Sequence, residues 1–313
     1  MRIIFLGSPA IAVIPLEALV RAGYQIVAVV TQPDRPAGRR NMLTPPPVKL
    51  AAERLGLPVF QPQTLRELAA VAHIAALQPD LGVVAAYGEI LRKNVLELPP
   101  LGYLNIHPSL LPRYRGPAPI TGAILAGDPE TGVSVMRLDS GMDSGPILAQ
   151  QAVPLPPDAR AGNFTMAMFE LGSQLLLDVL PAYIHGTLIP QPQDHSRATF
   201  TAMLRKQDGQ VDWHMPAVQI ERMVRAYDPW PGTYTFWKGQ QLKLLDVGVR
   251  PDLPPTHPIG TLWSEAGQPL VTTGTDVLEL RQVQPAGKRP MTGAVWLNGQ
   301  RNAIGQQFDF PQE

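Results

Sequence analysis

The run RIIFLGSPAIAVIPLEALVRAGYQIVAVVT, residues 2–31, sets the architecture. RIIFLG is a short apolar run ending in a turn glycine, and QIVAVVT is a second such run; continuous rather than alternating apolar strands are expected where a sheet is buried on both faces. Between them lies one helix. Ser8 stands where a cap belongs, Pro9 suits a first helical turn, Ile11, Leu16, Leu19 and Val20 form an apolar face, and Gly23 follows the end. Strand, helix, strand is the unit of an open α/β sheet.

The same rhythm continues outward. LPVF (57–60), LGVVAAYG (81–88), YLNIH (103–107), GVSVMRL (132–138) and PILAQQAV (146–153) read as further buried strands of a parallel sheet, and residues 162–183 as a long helix stopped by Gly186. Residues 187–212 are polar and carry Pro190, Pro192 and Gly209, so they read as a linker. A short helix is expected over 216–226. Beyond Asp228 the pattern changes to short runs separated by turn signals, YTFW, LKLLDVGV, GTLW, PLVTT, VLELRQVQP and GAVWL, which suggests a small antiparallel β-barrel. The expected organisation is therefore an α/β domain over 1–186, a linker over 187–212 and a β-barrel over 213–313.

Composition narrows the function. The 313 residues balance 26 Lys+Arg against 26 Asp+Glu, so only local patches can attract a polyanion. With no cysteine, disulfides, thiolate nucleophiles and Cys-ligated zinc are excluded. The 35 Pro and 27 Gly make up about a fifth of the chain, below the roughly 25–30% of disordered low-complexity sequences. MRIIFLGSP has an apolar run too short for a signal segment or a membrane span, so a cytoplasmic protein with no membrane partner is expected. After Gly7 no glycine follows until Gly23, which disfavours a nicotinamide dinucleotide, and neither G-x-S-x-G nor a phosphate-binding G-K-[ST] loop occurs.

The chemistry is expected in LGYLNIHPSLLPRYRGPAPI, residues 101–120, at the carboxyl end of a strand, where open α/β sheets bind ligands. Asn105 and His107 are two apart on extended chain and share a face, and Pro108 ends the ladder. An amide can donate to a developing oxyanion, and an imidazole with an unperturbed pKa of about 6.5 can stabilise that charge or move a proton. Together they suit acyl transfer to an amine. RLDSGMDSGPI, residues 137–147, supplies a carboxylate to orient the ring and accept a proton: Asp143, with Asp139 as the alternative, although either could instead cap a turn.

N-I-H-P-S-L-L-P followed, 36 positions after the His, by the Asp of M-D-S-G resembles the folate-dependent formyltransferases. The resemblance implies an α/β domain of Rossmann-like type with an OB-like barrel, and makes Asn105, His107 and Asp143 the catalytic triad. It implies a reduced-folate pocket lined by Ser109, Leu110, Leu111 and Pro112, with a further wall at Tyr87, Gly88 and Ile90. The donor it implies is 10-formyltetrahydrofolate, with no metal.

The acceptor follows from other segments. TQPDRPAGRRNMLTPPPVKLAAE, residues 31–53, resembles the loop by which the tRNA-acting members grip the initiator acceptor stem, and it offers Arg35, Arg39, Arg40 and Lys49 to phosphates. RMVRAYDPWPGTYTFW (222–237) resembles the junction into the barrel. VQPAGKRPMTG (283–293) resembles a late turn of the family, with Lys288 and Arg289 and no acid between Arg281 and Arg301. The expected reaction is thus formylation of the methionine amine on initiator tRNA by a monomer, the alternative being a small amine such as an amino sugar.

Overall fold

The computed structural model describes residues 1–37 and 42–310. They form two compact units: residues 1–119, 130–154 and 164–202 make the first, and residues 120–129, 155–163 and the chain from Met203 make the second. No helix of the described residues is long and apolar enough to cross a membrane.

The first unit is built on a seven-stranded sheet. In chain order its strands are β1 (Arg2–Gly7), β2 (Gln25–Val30), β5 (Val59–Phe60), β6 (Leu81–Ala85), β7 (Tyr103–His107), β8 (Glu130–Arg137) and β9 (Ile147–Pro154), while β3 (Arg35–Ala37) and β4 (Met42–Thr44) pair as a separate small hairpin. The spatial order is β5-β2-β1-β6-β7-β8-β9. From β5 to β7 the pairs are parallel, but β7–β8 and β8–β9 are antiparallel. The expected all-parallel sheet is therefore mixed. β8 is buried and apolar whichever way it runs, so composition could not reveal its reversal, whereas β9, expected as a buried strand, is the half-exposed edge of the sheet. A short helix, α5 (Pro119–Ala126), leads from β7 and its following loop to the reversed strand β8.

Side-chain alternation divides the core. Ile3, Phe5, Val83, Leu104 and Ile106 lie in one cluster with Leu16 and Leu19 of α1 (Val13–Arg21), Val48, Ala51 and Ala52 of α2 (Pro47–Arg54), and Phe169, Leu176 and Leu180 of α6 (Ala161–Ile184). Ile4, Leu6, Ala28, Val84 and Tyr103 lie in the other, with Ala70 and Ile74 of α3 (Leu68–Ala76) and Val95 of α4 (Lys93–Leu96). Helices thus cover both faces, as doubly wound sheets require. Gly172 matters here: a Cβ would sit 2.5 Å from Ile106 Cγ2 and 2.8 Å from Val133 Cγ2, so the missing side chain lets α6 close on the sheet. β1 is followed on one side by β2 and on the other by β6, which places the topological switch point at the carboxyl ends of β1 and β6.

Two local expectations change. Ser8 does not cap the first helix; a 3₁₀ turn at Ala10–Ala12 leads into it, and the Ser8 hydroxyl accepts from Gln32 N–H at 3.1 Å and donates to the Tyr87 carbonyl at 3.3 Å. Residues 187–202, expected as linker, pack in the first unit. Gln191 and Ile147 exchange two backbone hydrogen bonds at 2.8 Å, and Arg115 pairs with the chain at Thr199–Thr201. Prolines and polar side chains give this stretch the composition of an unstructured one, whereas its backbone groups are satisfied by the neighbouring sheet and loop.

In the second unit α7 (Ala217–Ala226) precedes β10 (Thr233–Trp237), β11 (Gln240–Arg250), β12 (Leu262–Glu265), β13 (Gln268–Thr272), β14 (Val277–Pro285), β15 (Met291–Thr292) and α8 (Gly293–Asn298). The antiparallel order is β10-β11-β14-β13-β12, with β15 on β14. Its two edges are joined by the late segment 306–309, which bridges Phe236 through Asp309 and Thr261 through Gln307. Trp213, Trp237, Trp296 and Phe308 fill the interior. Phe308 lies 5.0 Å from Trp213 and 4.8 Å from Trp237, ring centre to ring centre. Phe308→Ala is expected to cost about 3–5 kcal/mol, read as a drop in the urea midpoint of the transition reported by tryptophan fluorescence.

Candidate active site

Strand parity places the first two groups. Tyr103 packs in one core cluster while Leu104 and Ile106 pack in the other, so Asn105 and His107 stand on the Tyr103 face of β7. Both are buried, Asn105 at 9% and His107 at 4% exposure. The Asn105 amide makes no hydrogen bond with any described residue. His107 Nε2 lies 2.9 Å from the Tyr114 carbonyl, which anchors that nitrogen as the N–H donor. Nδ1 is therefore left as the nitrogen free to exchange a proton.

Asp143 faces that edge, with Oδ2 3.6 Å from His107 Nδ1. It arrives by an indirect route. In the antiparallel register Leu104 pairs with Arg137 and His107 with Ser134, so β8 ends beside the start of β7 and the loop after it doubles back to the histidine. Asp143 sits at φ +47°, a left-handed backbone costly for a non-glycine residue, and its Oδ2 accepts the Gly116 N–H at 2.8 Å. The expectation that the carboxylate orients the ring is modified: at 3.6 Å it is beyond hydrogen-bond length, and the Tyr114 carbonyl performs that task. Asp139 is exposed and accepts from Gly141 N at 3.0 Å and Ser144 Oγ at 2.7 Å, which is the turn-capping role.

The segment Ser109–Pro112 is held from below. Ser134 Oγ donates to the Ser109 carbonyl at 2.6 Å and accepts the Leu111 N–H at 3.2 Å, and Gln150 Nε2 donates to both Ser134 Oγ and the Leu111 carbonyl. Ser109 Oγ donates to the Arg113 carbonyl at 2.7 Å. Ser109 and Leu111 are buried, while Leu110 and Pro112 are half-buried. Of the second wall, Tyr87 is buried in the core. Its phenol finds no partner among the described residues and is pushed up by burial first and by the Glu89 carboxylate second. Gly88 (φ +89°) and Ile90 (63% exposed) are accessible. Ser134 is the one polar side chain in GVSVM, a signal that its hydroxyl has a fixed partner.

The cationic residues behave differently from one another. Arg35 is exposed on the hairpin and donates to Gln32 Oε1 at 3.0 Å. Arg39 and Arg40 lie outside the described residues. Lys49 is not a free cation; its Nζ lies 3.0 and 2.8 Å from the two Asp34 oxygens, and Gln61 Nε2 donates to Asp34 Oδ1 at 2.8 Å. The Gln61 amide and then Lys49 hold the Asp34 carboxyl below the usual carboxylate range. Lys288 and Arg289 are exposed on the turn after β14 and form no ion pair with the described residues, whereas Arg281 pairs with Glu279. Lys243 of β11 pairs with Gln284, whose amide donates to the Lys288 carbonyl, so a third cation lies beside that turn.

Ser134→Ala leaves the buried Leu111 N–H and Ser109 carbonyl without their partner. It is expected to cost about 1–3 kcal/mol in urea unfolding, whereas Ser144→Ala on the exposed turn stays within about 0.5 kcal/mol.

Comparison with known proteins places the chain. The formyl transferase model matches residues 1–180 and the formyl transferase C-terminal domain model residues 203–301. A methionyl-tRNA formyltransferase of Chloroflexus aggregans is 64% identical over 300 residues, covering 96% of this chain and 97% of its own. One of Roseiflexus sp. (strain RS-1) is 60% identical over 309 residues, covering 98% and 95%. Among solved structures, the sugar 3N-formyl transferase WlaRD superposes with a TM-score of 0.65 at 16% identity, over 92% of this chain and 99% of that one. HypX from Aquifex aeolicus in complex with tetrahydrofolic acid gives 0.62 at 18% identity, over 95% of this chain and 47% of that one. At such identities these structures share the fold.

Proposed function

The chain belongs to the formyltransferase family, and from that premise we propose that Asn105, His107 and Asp143 carry the transfer of a formyl group. It is an enzyme that formylates the methionine amine of initiator methionyl-tRNA, with a folate as cosubstrate. The donor in this reading is 10-formyltetrahydrofolate, and the enzyme works as a cytoplasmic monomer. The supporting observation is the Asn105 amide, nine-tenths buried and without a partner among the described residues, on the same strand face as a histidine whose second nitrogen looks toward a carboxylate.

When bound, the donor supplies an electrophilic formyl carbon on a nitrogen that can leave. Asn105 donates its N–H to the formyl oxygen as negative charge develops there, and one such preorganised donor is worth about 3–4 kcal/mol of barrier. His107, anchored through Nε2 by the Tyr114 carbonyl, turns Nδ1 to the reacting group and, protonated there, adds a second donor. Asp143 compensates a proton on Nδ1 and receives, directly or through one water, the proton shed as the amine forms its bond to the formyl carbon; as the bond from that carbon to the folate nitrogen breaks, the proton is returned to the departing nitrogen. Its Oδ2 is kept in place by Gly116 N–H. Ser109–Pro112, braced by Ser134 and Gln150, forms the firm side of the folate site, and Gly88 and Ile90 supply accessible backbone and an apolar wall.

For tRNA, Lys288 and Arg289 provide exposed charge for phosphates and Arg35 does so on the early loop, to which the sequence adds the cations Arg39 and Arg40. Lys49 serves by tying that loop to Asp34. Lys288→Ala with Arg289→Ala is expected to weaken tRNA binding and to flatten the plot of log affinity against log salt by about 0.9 for each duplex phosphate no longer neutralised; an unchanged slope removes the turn from the interface.

The reading is tested by supplying 10-formyltetrahydrofolate with either charged initiator tRNA or small amines, amino sugars included, and identifying the formylated product. N-formylmethionyl-tRNA is expected; formylation of the small amine alone contradicts it. Asp143→Asn is expected to lower kcat by about 10²–10³-fold with the donor KM within about twofold of the parent, and an unchanged kcat removes Asp143 from the mechanism.

A further inference from the structure

Gln193 lies on the Pro-rich polar segment that follows the long helix, yet it is 6% exposed and every polar atom of its amide is engaged. Nε2 donates to the Asp143 carbonyl at 2.8 Å and the Gly145 carbonyl at 2.7 Å. Oε1 accepts from Arg115 Nε at 3.1 Å and Nη2 at 2.7 Å. Arg115 is itself 4% exposed, forms no ion pair with the described residues, and reaches His195 Nδ1 at 2.9 Å. It stands between Tyr114, whose carbonyl anchors His107, and Gly116, whose N–H holds Asp143. One amide therefore spans the two loops that supply the histidine anchor and the carboxylate.

Both loops contain non-glycine residues in left-handed backbone, Tyr114 at φ +57° and Asp143 at φ +47°. Such conformations persist only where the surroundings over-determine them. For Asp143 those surroundings are the Gly116 N–H on the side chain and Gln193 on its own carbonyl and that of Gly145. We infer that Gln193 is a positioning residue: it holds Asp143 at its working distance from His107 through two carbonyls, with Arg115 fixing the amide the right way round. The inference rests on the assignment of Asp143 to the reaction.

The decisive variant is Gln193→Glu. A carboxylate keeps the acceptor for Arg115, and gains charge complementarity to it, but cannot donate to the Asp143 and Gly145 carbonyls. If Gln193 only supports the fold, this variant stays active. If it positions Asp143, the melting temperature stays within about 5 °C of the parent while kcat falls by about 10- to 100-fold and the KM for 10-formyltetrahydrofolate stays within about twofold. Gln193→Met, similar in length and uncharged, is measured alongside; the kinetics are read on whichever variant melts near the parent. A kcat within about twofold of the parent overturns the inference, as does loss of a cooperative melt in both variants, which would make the glutamine a support of the whole fold. Asp143→Asn in the same assay separates the two levels. Full turnover there overturns the catalytic assignment itself, whereas low turnover there beside an unimpaired Gln193→Glu overturns only the positioning role.

Discussion

A hydrogen bond of 2.8 Å from the Gly116 N–H to Asp143 Oδ2 joins two loops that the sequence separates by 27 residues, and the site depends on it. Without that bond the carboxylate would lose its side-chain anchor, and the left-handed turn would rest on the contacts of Gln193 with the Asp143 and Gly145 carbonyls alone. With it, His107 Nδ1 sees a fixed negative charge at 3.6 Å while Nε2 is committed to the Tyr114 carbonyl. The ring thus has one structural nitrogen and one working nitrogen. At 3.6 Å the carboxylate is too far for a hydrogen bond and too near for a water to stand between, so it acts on the ring through its charge.

The fold delivers these groups by alternation and by one reversal. Parallel strands up to β7 bring ligand-facing turns to one edge, which is where a strand such as Tyr103–His107 can end on a functional residue. The reversal at β8 then sends the next loop away from that edge. Only a connection long enough to double back, with Gly145 packed where a Cβ would stand 2.0 Å from the Arg137 carbonyl, returns Asp143 to the site. The binding wall is stiffened differently, by Ser134 projecting from β8 beneath Ser109–Pro112. Rigid elements and second-layer hydrogen bonds thus hold a small number of polar groups in place ahead of the reaction.

Much of this is legible in the residues. Continuous apolar runs locate every strand of the large sheet, the spacing of Asn105 and His107 gives their shared face, and Gly186 ends the long helix at Ile184. The rest follows from physics that leaves no local mark. Strand direction does not alter burial, so the antiparallel edge is hidden. Lys49 looks free in the sequence because Asp34, its partner, is 15 residues earlier and meets it only across a folded loop. The stretch containing Gln193 looks like linker because prolines and polar residues are typical of linkers, and an amide that satisfies two distant carbonyls and a guanidinium has the same composition as one that satisfies water.

The central claim concerns where three groups stand relative to one reacting atom. A crystal structure of the protein with a non-transferring analogue of 10-formyltetrahydrofolate that carries its formyl group at the N10 position measures this directly. The account predicts the formyl oxygen within about 3 Å of the Asn105 amide nitrogen or of His107 Nδ1, with Asp143 no more than one bridging water from the formyl carbon. A formyl group resting more than about 6 Å from all three side chains, beyond the reach of a single water, would contradict it.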